Sequence, residues 1–356
     1  MSGSLPSARS DSRLLWLDGF RGVAVLLMIE THVVNTFLAR DLRDPAWFGW
    51  VDYVNGIVAP SFLFIAGFAV GLAMRGGSGK PVAVGRKARR LLEILALGYA
   101  LHFPLVEIFR GHWRKAWMVG TQVDVLPCIA VALAILIGVQ WFAQRFSRRA
   151  GEWVWTGMLA ALIGMSLIGA QWLQSWEAGP ALVVAPLVAF ANRTTGSLFP
   201  LLPWAAFVFA GAWRGSVRGS APDAGWKFPV LWLGAGLIAA RWRSQSVFTP
   251  LSPAFFVERL AWVLLLAEVC QAAPFWKGRI WVRLAGRESL WMYAGHLIVI
   301  SAFTFAGIRE ASLDFSSLGM MFVAVLAMAF AIAVGRARWA QAIIPPASKA
   351  EPEPTS

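Results

Sequence analysis

The chain reads as long apolar stretches separated by short polar ones. Runs of about 18–25 apolar residues recur, each long enough to cross a bilayer as a helix. Ten spans can be marked, at 14–38, 55–74, 91–109, 119–142, 153–172, 198–213, 228–240, 255–274, 290–308 and 317–334. The spans at 198–213 and 228–240 are short and rich in Pro and Gly. The run PALVVAPLVAFA (180–191) is too short to span and reads as a re-entrant piece or, joined to its neighbours, as an eleventh span. The expected architecture is all-α: a polytopic transmembrane helix bundle at 14–335, a cytoplasmic tail at 1–13, and a polar, disordered cytoplasmic tail at 336–356.

Composition agrees with this pattern. Charged residues make up 14% of the chain against roughly 25% in soluble domains, and mean hydropathy is +0.61. A net charge of +13 would suggest nucleic acid in a soluble protein, but here it sorts by loop. With the N-terminus inside, 21 basic residues fall on the cytoplasmic side and nine outside, as the positive-inside rule requires for an even number of spans. Of 32 basic residues, only Arg21 and Arg259 fall within spans, and Arg259 follows Glu258 near the predicted outer interface. The 20 tryptophans gather at span ends as an aromatic belt. Two cysteines in apolar segments give neither a disulfide framework nor zinc spacing. The expected location is a bacterial inner membrane, with lipid as a partner and no nucleic acid.

The informative polar residues are those inside the first span, LLWLDGFRGVAVLLMIETHVVNTFL. Eleven residues advance a helix by three turns plus roughly 20°, so Arg21 and His32 share one face about 16 Å apart. Asp18 shares that face and can offset the cost of Arg21. Glu30 points elsewhere. Further candidates are His102 on the third span, Asp124 on the fourth, Glu268 on the eighth and His296 on the ninth, with Ser289 and Tyr293 on or near the His296 face. His112 falls in a basic loop, RGHWRK, and the sequon Asn192-Arg193-Thr194 in a predicted outer loop. No HxxxH or HExxH spacing supports a metal site on the histidines, and none is expected.

Five stretches resemble one family in order: LDGFRGVAVLLMIETH, APSFLFIAGFAVGL (59–72), DVLPCIAVAL (124–133), FPLLPWAAFVFAGAWRG (199–215) and GRESLWMYAGHLIVI (286–300). Together they are similar to integral-membrane acyltransferases, and within them to the heparan-α-glucosaminide N-acetyltransferase catalytic-domain family and its bacterial relatives. The resemblance implies transfer of an acyl group, usually acetyl from cytoplasmic acetyl-CoA, to an amine or hydroxyl of a glycan or other envelope acceptor across the membrane. It implies His32 as the active-site histidine and Arg21 as its paired arginine, with Asp18 organising the donor side. The family's lysosomal enzyme has Asn where this chain has His32 and carries its histidine in the following loop. No histidine lies between 33 and 101 here, so that role has no counterpart.

A histidine suits either role in acyl transfer, as base or as acyl carrier. CoA phosphates need fixed positive charge, and the 75–90 segment offers it in Arg86, Lys87, Arg89 and Arg90. A secondary transporter using intramembrane His, Arg and Asp for substrate or protons is the alternative, and a non-catalytic role in envelope assembly a third. Oligomeric state is not legible in the sequence.

Overall fold

A computed structural model of the protein describes residues 9–76, 84–177, 182–218, 227–244, 252–272 and 279–343. Among them there are helices, turns and one isolated bridge between Leu38 and Leu313. The first third of the chain forms α1 (Arg9–Phe37), α2 (Pro45–Asn55), α3 (Val58–Gly76), α4 (Val84–Leu101), α5 (Leu105–Phe109) and α6 (Trp113–Gly120). The middle forms α7 (Val125–Ala143), α8 (Arg148–Trp172), α9 (Ala185–Ala191), α10 (Leu201–Arg218) and α11 (Lys227–Ser244). The last part forms α12 (Pro253–Ala272), α13 (Ile280–Arg287), α14 (Ser289–Phe305) and α15 (Phe315–Ile343).

Each predicted span overlaps a helix of at least 17 residues. Among the described residues, four stretches are long and apolar enough to cross a membrane: Ala46–Ala73, which joins α2 to α3, Val125–Ala143, Arg148–Trp172 and Phe315–Trp339. Other long helices carry the polar residues singled out above, such as Asp18, Arg21 and Glu30 on α1 and Glu258, Arg259 and Glu268 on α12, so apolarity alone does not mark them as crossings. The described part of the 180–191 run is a single 3-10 turn followed by the seven-residue α9.

Backbone proximity at glycines joins the bundle. On α3 and α10, a Cβ at Gly67 would overlap the carbonyl oxygen of Val208, and one at Gly211 would overlap that of Phe64. Each helix has a second glycine four residues on, Gly71 and Gly215, in the same relation to its partner. This is the small-xxx-small pattern that lets membrane helices approach closely. A similar contact sets α13 on α1: Gly22 lies against the backbone of Val282, and Gly286 against that of Asp18. Around these pairs the core is filled by fully buried Phe20, Phe37, Phe64, Phe207 and Phe209.

Two expectations need revision. The third span was drawn to residue 109, but α4 stops at Leu101, because Pro104 lacks the N–H that would continue it. Glu107 therefore lies in a short helical hairpin, where it accepts from Lys115 Nζ (2.7 Å) and His112 Nδ1 (3.0 Å). The hydrogen bonds from those two side chains, Lys115 first, hold its carboxyl below its ordinary range. Residues 280–287, drawn as cytoplasmic loop, form α13 with Val282, Ala285 and Gly286 buried. Arg259, near the start of α12, is 4% exposed and donates to Tyr53 O (2.5 Å), beside the Tyr53–Glu258 hydrogen bond. A buried guanidinium needs such partners.

The Asn192 sequon is also structural. Its amide nitrogen donates to Leu173 O (2.5 Å) and Trp176 O (2.7 Å), while its oxygen accepts from Thr194 N (2.9 Å). We expect Asn192→Ala to lower stability by about 1–3 kcal/mol, the cost of stranding buried polar groups. A fall in the detergent-solubilised melting temperature checks this, and an unchanged melt would contradict it.

Candidate active site

Four elements converge on the histidines. His32, on α1, has Nδ1 2.8 Å from Met28 O, the carbonyl one turn back. His296, fully buried on α14, has Nδ1 3.0 Å from Met292 O, and its Nε2 lies 3.4 Å from His32 Nδ1. The two rings are tilted by 60° with centroids 4.9 Å apart. His102 stands just past the end of α4 with Nε2 3.5 Å from Asp124 Oδ2. Asp124 occupies the N-cap position of α7 but makes no cap hydrogen bond. Its carboxylate instead accepts from Tyr293 Oη (2.6 Å), one helical turn below His296. Asp124 and His102 both lie within electrostatic reach of His32. The cluster thus joins α1, α4, α7 and α14, drawn from distant parts of the chain.

Beneath it lies a cavity of about 300 Å³. Tyr293 and Val125, the residue after Asp124, line it toward the histidines; Ile94, Ile129 and Leu133 form apolar wall; Arg21, Arg90, Arg287 and Arg336 line it away from them. Arg21 Nη1 pairs with Asp18 Oδ1 at 3.5 Å, and Arg336 Nη1 donates to Glu288 Oε2 at 3.3 Å. Arg283 and Arg287 also act on Asp18, and Arg90 on Arg21. Two carboxylates thus face five guanidinia, and positive charge is in excess. α1 explains the arrangement: one straight helix carries Asp18 and Arg21 to the arginine end and His32 to the cluster.

The other sequence candidates fall outside. Glu268 pairs with Arg214 (2.5 Å) beside Trp16 and Phe68. Lys87 Nζ donates to Gln140 Oε1 (3.1 Å), and Arg89 pairs with Glu93 on an exposed face. The side chain of Arg86 lies outside the described residues. Of the described side chains in that basic segment, Arg90 alone lines the cavity. Sequence reasoning missed Arg287 and Arg336, having assigned both to topology among the other basic residues. Among the described residues no group of three or more His, Cys, Asp or Glu is placed to hold a metal ion.

Residues 13–242, well over half of the chain, match the family described as heparan-alpha-glucosaminide N-acetyltransferase, catalytic. The chain belongs to this family. No curated protein matches it. The stretch shared with the N-acetyltransferase family carries Asp18, Arg21, His32, Arg90, His102 and Asp124. It ends within α11, so Arg287, Tyr293, His296 and Arg336 join the site from beyond it. Membership in the N-acetyltransferase family makes the chain a transferase, and with its long apolar helices a membrane protein.

Proposed function

We propose that the protein transfers an acyl group, acetyl in the first instance, from cytoplasmic acyl-CoA to an amine or hydroxyl of a glycan or other envelope acceptor across a bacterial inner membrane. The carrying observation is a cavity lined by four arginines and by Tyr293, whose hydroxyl bonds Asp124 beside the histidine cluster. Its chemistry matches the donor along its length: guanidinia for phosphates, apolar wall for the pantetheine arm, and an acid–base group where the thioester would end. Ten crossings with a cytoplasmic N-terminus would put the arginines on the donor's side, in keeping with the basic-residue bias.

In this reading His32 takes the proton of the acceptor N–H or O–H. The freed electron pair attacks the thioester carbonyl, the C–S bond breaks, and the CoA thiolate recovers the proton from His32. Asp124 supports the positive charge that His32 gains during the step. Arg21, Arg90, Arg287 and Arg336 bind the donor, and Asp18 and Glu288 aim two of them.

Arg287→Ala should raise the KM for acetyl-CoA by about 10–100-fold with a smaller change in kcat, the cost of losing one charge-assisted hydrogen bond. Arg21→Ala should act in the same direction. The measurement is label transfer from radiolabelled acetyl-CoA to glycan acceptors by protein in nanodiscs. No CoA binding or acyl transfer by the wild type, with solute uptake in liposomes, would replace this reading with a transporter.

A further inference from the structure

His32 can react at either ring nitrogen, and the groups around it decide which. Nδ1 stands 2.8 Å from Met28 O. A carbonyl only accepts, so Nδ1 carries the hydrogen. His296 repeats the arrangement, with Nδ1 3.0 Å from Met292 O. In the neutral His296 ring the hydrogen therefore sits on Nδ1 and the lone pair on Nε2. That lone pair faces His32 Nδ1 at 3.4 Å. Met28 O and His296 Nε2 share one hydrogen, and Nε2 of His32 is left with its lone pair.

We infer that His296 is a positioning residue that holds His32 in the Nδ1–H tautomer and makes Nε2 the reacting atom. This rests on the acyl-transfer reading for its consequence and on geometry alone for its assignment. The carbonyl of Met28 fixes where the hydrogen sits but belongs to the same helix as His32. His296 supplies a second acceptor from α14, and two acceptors from different directions resist rotation of the ring. When Nε2 takes the acceptor's proton, Nδ1–H stays bonded on that side, so the imidazolium forms without rearrangement. His296 cannot readily exchange this role with His32: its Nδ1 is committed to Met292 O, its Nε2 faces His32, and the residue is fully buried.

The assignment can be read without turnover. Nitrogen-15 NMR of histidine-labelled protein in nanodiscs distinguishes a protonated from an unprotonated ring nitrogen. Four histidines give few signals, and His32→Ala identifies the one that matters. The wild type should show His32 with hydrogen on Nδ1 and a bare Nε2. His296→Gln, which retains an acceptor oxygen, should keep that signature and most of the turnover. His296→Leu should let the other tautomer appear and lower kcat on the order of 10–100-fold, with the KM for acetyl-CoA little changed. Hydrogen on His32 Nε2 in the wild type would overturn the inference, as would full turnover in His296→Leu. Absence of acyl transfer in a wild type that shows the Nδ1–H signature would instead sink the proposed function. Should His296→Leu fail to fold, the wild-type and His296→Gln spectra still decide the tautomer.

Discussion

His32→Ala should abolish acyl transfer while the protein still folds. A positioned general base contributes typically 10²–10⁴-fold, so turnover should fall by at least about that factor. The fold should tolerate the change because His32 is only partly buried and makes no long-range bond besides the contact with His296. Binding of acetyl-CoA should persist, since the arginines proposed to hold its phosphates line a cavity that His32 does not line. Two measurements on one preparation suffice: label transfer and donor binding. Turnover surviving at the wild-type rate would remove His32 from the mechanism.

The second large effect concerns folding. A side chain at Gly211 would meet the backbone of Phe64, and backbone cannot rotate out of the way. Overpacking against side chains costs about 1–3 kcal/mol, occasionally more; here α3 and α10 would have to separate, and the penalty should lie above that range. Gly211→Val should therefore yield little folded, monodisperse protein after solubilisation. Gly138→Val and Gly164→Val serve as controls, because a Cβ at either position meets nothing within 4 Å. A Gly211→Val protein eluting and melting like the wild type would show that the helices do not approach as described.

Helix positions were legible because apolar length is a robust signal, and every predicted span met a helix. Boundaries failed where local chemistry overrode hydropathy, as at Pro104, and where amphipathic rather than apolar residues form the helix, as in α13. The span at 198–213 looked weak because of its Pro and Gly, yet α10 lies in the core, with Ala205 to Phe209 buried. Those glycines are what admit it there, and AGFAVG on α3 beside AGAWRG on α10 was a readable sign of it. In the site, the helical stripe from Arg21 to His32 was readable because both residues belong to one helix. The pairings His32–His296 and Asp124–Tyr293 were not, since the partners lie more than a hundred residues apart in sequence. Arg287 and Arg336 were hidden by their company: among many topogenic cations, nothing in one sequence distinguishes those that face a cavity.

α1 carries Asp18 and Arg21 at one end and His32 near the other, on a single unbroken helix locked to α13 through Gly22 and Gly286. In the proposed reaction, neither the donor's charge anchor nor the reacting imidazole could then drift through mutation without dragging the other. Divergence among relatives should fall on the walls supplied by α4, α7 and α14, leaving α1 as the fixed ruler that sets the spacing between the two ends of the site.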